Sequence, residues 1–137
     1  MKRILVVVLQ CLLCTMLCSC GEDRTEYYEE RISSYEIIAQ YALQNYASSD
    51  GSVVCVSLSD ITEDNLSQSV LIAEEKFTYI WIENNNIIFW NDETKTLGLV
   101  YSDDAKSAIK DIEVWYDDLK KEKVNNNWYL IGQLNSN

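Results

Sequence analysis

The chain has 137 residues, 47% of them hydrophobic and 24% charged, with 11 Lys and Arg against 22 Asp and Glu, a formal charge of −11 at pH 7, and neither His nor Pro. Four Trp, nine Tyr and two Phe are too much aromatic mass for a disordered chain, and four Gly without Pro exclude collagen-like or Gly/Pro-rich material. The lack of His removes Ser-His and Cys-His nucleophile activation, imidazole general-base chemistry and His-ligated zinc.

The first segment in chain order is a basic pair, Lys2 and Arg3, followed by an almost wholly apolar run from Ile4 to Leu17. A bilayer span needs about 20 apolar residues, so this shorter run reads as the core of a secretory signal. The residues that follow, Leu17-Cys18-Ser19-Cys20-Gly21, resemble the lipobox of bacterial lipoproteins. An aliphatic residue stands three places before the modified Cys and a small one directly before it; Cys18 replaces the commoner Ala, Ser or Thr. Cys11, Cys14 and Cys18 are each preceded by a larger residue and fit the pattern less well. The resemblance implies that residues 1–19 are removed, that Cys20 is lipidated, that 20–25 form a tether and that 26–137 form one domain. The location implied is the extracytoplasmic face of the cell membrane or outer membrane.

Removal of 19 of the 137 residues would leave 118, with nine cations against 22 acids, a formal charge of −13. Such a surface is repelled by anionic headgroups, so membrane attachment would rest on the acyl chains, at about 0.8 kcal/mol per buried CH₂. The same charge argues against nucleic acid as a partner. Of five Cys, Cys55 alone would remain as a thiol in the folded part, which leaves no intramolecular disulfide. Its setting, Val53-Val54-Cys55-Val56, predicts a small buried hydrophobe and not a reactive thiol.

Tyr28, Ile32, Tyr35, Ala39, Ala42 and Tyr46 recur at helical spacing, with Ile38 and Leu43 widening the stripe, and predict one helix over 25–48. Glu26, Glu29 and Glu30 suit its N-terminus, and Ser48-Ser49-Asp50-Gly51 ends it. The tyrosines are expected in the core with hydroxyls at its rim. A short strand is predicted over 52–58, with Val54, Val56 and Leu58 on one face. Residues 59–76 read as coil with room for a short helix over Asp60 to Leu71 that buries Ile61, Leu66, Val70 and Leu71, or for a strand opening over Val70 to Ala73.

Phe77 to Glu83 is the clearest strand, with Phe77, Tyr79 and Trp81 on one face and Thr78, Ile80 and Ile82 on the other. Turns at 84–86 and 92–95 and strands at 87–91 and 96–102 complete an antiparallel meander. Ser102-Asp103-Asp104 resembles a helix cap and precedes either a helix over 104–119 or a strand over Ile112 to Tyr116. Residues 120–124 and 128–134 predict a hairpin around Asn125-Asn126-Asn127. Lys120-Lys121-Glu122-Lys123 suits a guarded edge strand, with ion pairs to Asp117 and Asp118. The fold class is therefore α+β, a long N-terminal helix packed on a mainly antiparallel sheet of about four to six strands. It resembles cystatin-like and NTF2-like domains in architecture alone. The cystatin Gln-x-Val-x-Gly loop is missing, so the resemblance carries over no functional residue.

Carboxylates are the one abundant functional group. Glycoside hydrolysis needs two of them about 5 to 9.5 Å apart across a cleft, which adjacent pairs such as Glu74-Glu75 or Asp103-Asp104 do not provide by sequence alone. Gly51, Gly98 and Gly132 are isolated, so no phosphate loop is present, and no EF-hand pattern occurs. No cofactor or metal is expected. Most of Trp81, Trp90, Trp115 and Trp128 should be core, but an exposed sheet face bearing Trp90, Trp81 and Tyr79 would bind protein or glycan. The expected function is a lipid-anchored, non-enzymatic binding or accessory module. The alternatives are a carboxylate-dependent hydrolase of envelope glycans and a structural envelope lipoprotein. No pattern in the chain specifies an oligomeric state.

Overall fold

The computed structural model describes residues 24–104 and 120–132. The lipobox with Cys20, and the segment expected to be helix or strand between 104 and 119, lie outside them. Two helices, α1 (Arg24–Glu29) and α2 (Ile32–Asn45), lead into β1 (Val54–Ser57), a 3₁₀ turn (Leu58–Asp60) and α3 (Ser67–Glu74). The strands β2 (Tyr79–Glu83), β3 (Asn86–Trp90), β4 (Leu97–Tyr101), β5 (Lys120–Lys123) and β6 (Trp128–Gly132) follow. All pairings are antiparallel, and the six strands lie in the order β1-β2-β3-β4-β6-β5. The class is α+β.

The single helix expected over 25–48 is broken at Glu30 and Arg31. There the Arg31 N–H bonds three residues back to Tyr28 O (3.1 Å), tightening the turn, before α2 resumes. The apolar stripe survives the break, and Tyr28, Tyr35, Ile38, Ala39 and Ala42 are all buried. Between β1 and β2 a helix forms in preference to a strand, but at Ser67–Glu74, later than the Asp60 to Leu71 expected. Its Val70 and Ala73 point inward at i, i+3 spacing, while Leu71, expected to be buried, is 60% exposed. Phe77 is displaced from the strand pattern for a related reason. Its N–H bonds Ala73 O (2.9 Å) and so closes α3, and its ring enters the helix-side core instead of sharing a sheet face with Tyr79 and Trp81.

The helix-facing side of the sheet is built from Val56, Ile80, Phe89, Leu99 and Leu130 in one cross-strand row, and from Val54, Ile82, Ile87, Tyr101 and Trp128 in the next. Tyr35 of α2 joins helix to sheet. Its ring lies 5.4 Å from Phe89 and 5.8 Å from Phe77, both edge-on, and 6.3 Å from Trp128. Such pairs add about 0.5–1.5 kcal/mol each beyond area burial. Tyr27 and Tyr41, which lie off the apolar stripe, place their hydroxyls at the rim and donate to Glu75 and Glu63. Tyr35 does not: its hydroxyl is buried with no hydrogen-bond partner among the described residues. Burial also pushes the Tyr28 phenol up to about 12 and that of Tyr35 further.

A buried hydroxyl without a partner carries an uncompensated desolvation cost of about 1–3 kcal/mol. Tyr35→Phe keeps every ring contact and removes that cost, so the variant should unfold at higher urea concentration, by about 1 kcal/mol of added stability. A loss of stability of that size would show that the hydroxyl has a partner.

Candidate functional site

The opposite face of the sheet carries two further rows. One runs Cys55, Trp81, Ile88, Val100, Tyr129, Lys123; the other runs Ser57, Tyr79, Trp90, Gly98, Ile131, Lys121. The parity expected for Tyr79, Trp81 and Trp90 is thus the observed one, and the structure brings all three together. Their exposures differ. Trp90 is fully buried, packed with Ile88, Val100 and Ile131, so it is not the exposed platform that its position suggested. Tyr79 and Trp81 are half-buried and border that cluster.

The close approach of Trp90 to β4 is set by its cross-strand neighbour. Trp90 pairs with Gly98, and a Cβ on Gly98 would sit 2.8 Å from Trp90 Cζ3 and 3.0 Å from an Ile131 side-chain carbon. The indole therefore lies over β4 where any other residue would lift it. Trp90 in turn meets Trp81 edge-on, with centroids 5.9 Å apart at 78°. Trp81 is braced from beneath, and its outer side opens towards the β1 edge.

That outer side is an open groove of about 500 Å³. Its floor is Cys55, Ser57, Thr78, Tyr79 and Trp81, and its wall is Asp92, Glu93 and Lys95 of the β3–β4 loop. Cys55 was expected to be buried. With Val54 and Val56 of β1 turned towards the helices, alternation places Cys55 on the groove side, where it is exposed. Its exposure and the groove's position at the sheet edge follow from the same register.

The wall is held by local hydrogen bonds. Asn91 donates its N–H to Leu97 O (3.1 Å) and its side-chain amide to Thr96 Oγ1 (2.8 Å), while its Oδ1 accepts from Leu97 N (3.2 Å). Asp92 accepts from Thr94 N (2.8 Å) and from the Thr94 hydroxyl. The Tyr79 hydroxyl donates to Asp92 O (3.0 Å), which ties the floor to the loop. Lys95 closes the turn at φ 53°, in the left-handed region, and its ammonium lies 3.6 Å from the Trp81 ring centroid. A cation over an indole face at that distance is worth about 0.5–2 kcal/mol. The site thus combines an aromatic floor, hydroxyls from Ser57, Thr78 and Tyr79, one cation and two carboxylates.

The Thr94 hydroxyl, with the Thr94 amide, holds the Asp92 carboxyl below the usual carboxylate range. A carboxyl kept ionised is an acceptor and suits no general-acid role. Among the described residues no group of three or more His, Cys, Asp or Glu could hold a metal ion, and no helix is long and apolar enough to cross a membrane. Comparison of the chain with protein families, curated proteins and solved structures finds no match in any of the three.

Two outcomes follow. Gly98→Ala should destabilise the domain by about 1–3 kcal/mol through overpacking and raise the solvent exposure of tryptophan in fluorescence quenching; unchanged stability and quenching would mean that Trp90 has room to move. The depressed Asp92 means that loop order is fully present above the ordinary Asp range near 3.9 and is lost as pH falls through the lower folded value. Thr94→Val should move the Asp92 carboxyl titration, followed by NMR, back up towards the ordinary range. A titration that does not move would remove the hydroxyl as the cause.

Proposed function

We propose that the chain is a lipid-anchored binding or accessory module of a bacterial envelope, non-enzymatic, held at the extracytoplasmic face by acyl groups on Cys20. It engages a protein or glycan partner through the groove of Tyr79, Trp81 and Lys95. The observation that carries this reading is a half-exposed Trp, braced by a buried one and flanked by hydroxyls, at the open end of a sheet face. A pre-positioned aromatic with polar groups at its border is what binding surfaces concentrate their energy in. The lipobox supports the location. The groove carboxylates do not favour the hydrolase alternative, since Asp92 is committed to Thr94 as an acceptor and Glu93 is its sequence neighbour on an exposed loop.

The two halves of the reading separate experimentally. A Cys20→Ser variant should lose acyl labelling and leave the membrane fraction; retention with label would overturn the anchor. A photo-crosslinking residue placed at Tyr79 in intact cells should give a discrete adduct that Trp81→Ala reduces about tenfold or more, the weight of a central aromatic contact. A folded domain that carries the crosslinker at position 79 with Trp81 intact and gives no adduct would overturn the groove as a binding site.

A further inference from the structure

The two edges of the sheet are unlike. β5 carries three Lys in four residues, a device that discourages pairing with another chain. β1, at the other edge, reads Val-Cys-Val-Ser, without charge, Pro or bulge, and is preceded by Val53 at 49% exposure. Its outward hydrogen-bonding groups can be assigned by parity. Leu58 donates its N–H to Thr78 O (2.9 Å), towards β2. Successive peptide groups of a strand point to opposite edges, so Val56 and Val54 also face β2, while Cys55 and Ser57 present N–H and C=O outward. No described element pairs with that edge. The side chains of the same two residues lie in the groove floor beside Trp81 and Tyr79.

The surroundings of this edge are acidic. Asp50 precedes β1, Asp60 follows it, Glu83 ends the neighbouring β2, and Asp92 and Glu93 stand at the groove; all five are exposed, and Lys95 is the one cation among the described residues of the groove. Asp50 is held ionised by the Ser48 hydroxyl and the Ser52 hydroxyl and N–H, with its carboxyl pushed down to about 2. Two copies of this edge brought together would set these acids against each other. A partner with positive charge would not meet that repulsion.

We propose that β1 is a strand-addition edge: an extended segment of a partner protein, uncharged where it pairs and flanked by Lys or Arg, bonds to the outward groups of Cys55 and Ser57 and lays alternate side chains beside those of Cys55 and Ser57, at the mouth of the groove. The inference rests on the groove being a partner site and adds that the partner is a peptide segment bound through its backbone. Ser57 supplies a clean test. Its φ of −69° is the value that proline imposes, and its N–H points away from β2, so Ser57→Pro removes the outward donor without touching the internal ladder.

The probe is a peptide of alternating Val and Thr with a Lys pair at each end, titrated into the labelled soluble domain at low salt and followed by amide NMR and hydrogen exchange. At about 1 mM peptide the Cys55 and Ser57 amides should shift and gain protection; Ser57→Pro should weaken binding about tenfold or more, and exchanging the Lys pairs for Glu should weaken it as much. No shift at either amide, equal binding by a folded Ser57→Pro, or equal binding of the Glu-flanked peptide overturns the proposal. Should Ser57→Pro fail to fold, the amide protection measured in the wild-type domain decides alone. A peptide-free dimer that protects the same amides also overturns it, since the occupant is then a second copy. The two readings fail separately: Tyr79 crosslinks that depend on Trp81 while both amides stay unprotected would keep the groove and discard strand addition.

Discussion

Trp90 can lie flat across β4 only because the residue opposite it is glycine, and much of what distinguishes this domain descends from that pairing. A Cβ at Gly98 would come within 3 Å of two carbons of the indole, so the register of β3 against β4 and the depth of Trp90 are one constraint. With Trp90 down, Trp81 on the next strand meets it edge-on and is left with one side covered and one side open. The β3–β4 loop, closed by Asn91 and Asp92, then delivers Lys95 to the open side. A cation on that ring is therefore a consequence of strand register and turn chemistry together, and neither alone would place it.

The same register gives the domain two unlike faces. Towards the helices, Tyr35 gathers Phe77, Phe89 and Trp128 into an aromatic cluster, so the core rests on rings as much as on Ile and Leu. Away from the helices, Ile88, Trp90, Val100 and Ile131 are buried near the sheet centre, and exposure rises towards β1, through Trp81 to Cys55. A gradient of this kind localises a groove at one edge without any residue being out of keeping with a packed sheet.

How much of this was legible in the sequence depended on whether a feature was local. The meander was, because β2, β3 and β4 alternate and their turns hold Asn and Asp, with Asn84 at φ 53° as a turn residue should be. The Lys-rich edge strand was, because its charge pattern states its position. The 59–76 stretch was not, because Val70, Leu71, Ile72 and Ala73 are all apolar and such a run fits a short helix as well as a strand. Phe77 misled because a helix-closing hydrogen bond, invisible in an alternation pattern, moved it to the other layer. The grouping of Tyr79, Trp81 and Trp90 followed from parity, but their depths did not: how closely Trp90 can approach β4 depends on Gly98, eight positions along the chain on another strand. Cys55 was misjudged for want of one step. Val54 and Val56 on the inner face already placed it on the outer one, and its exposure then depended only on β1 being an edge.

Charge and tether length act together if the proposed anchor holds. From Cys20 to the start of α1 at Arg24, four residues on, the chain can reach at most about 13–14 Å, at 3.3–3.6 Å per residue. That is less than two Debye lengths of about 8 Å each at physiological salt. An acidic domain on so short a leash is pushed outwards near the surface but cannot travel far from it, so any partner it meets is itself membrane-bound or passes close to the membrane. Restricting the search to that layer would raise the effective concentration of both parties, so a short edge strand with a small aromatic groove would need only modest affinity for a partner. Under the proposed anchor a site of modest size would suffice, and the acidic surface, which would hinder attachment to the bilayer, would instead favour the approach of basic segments in that layer.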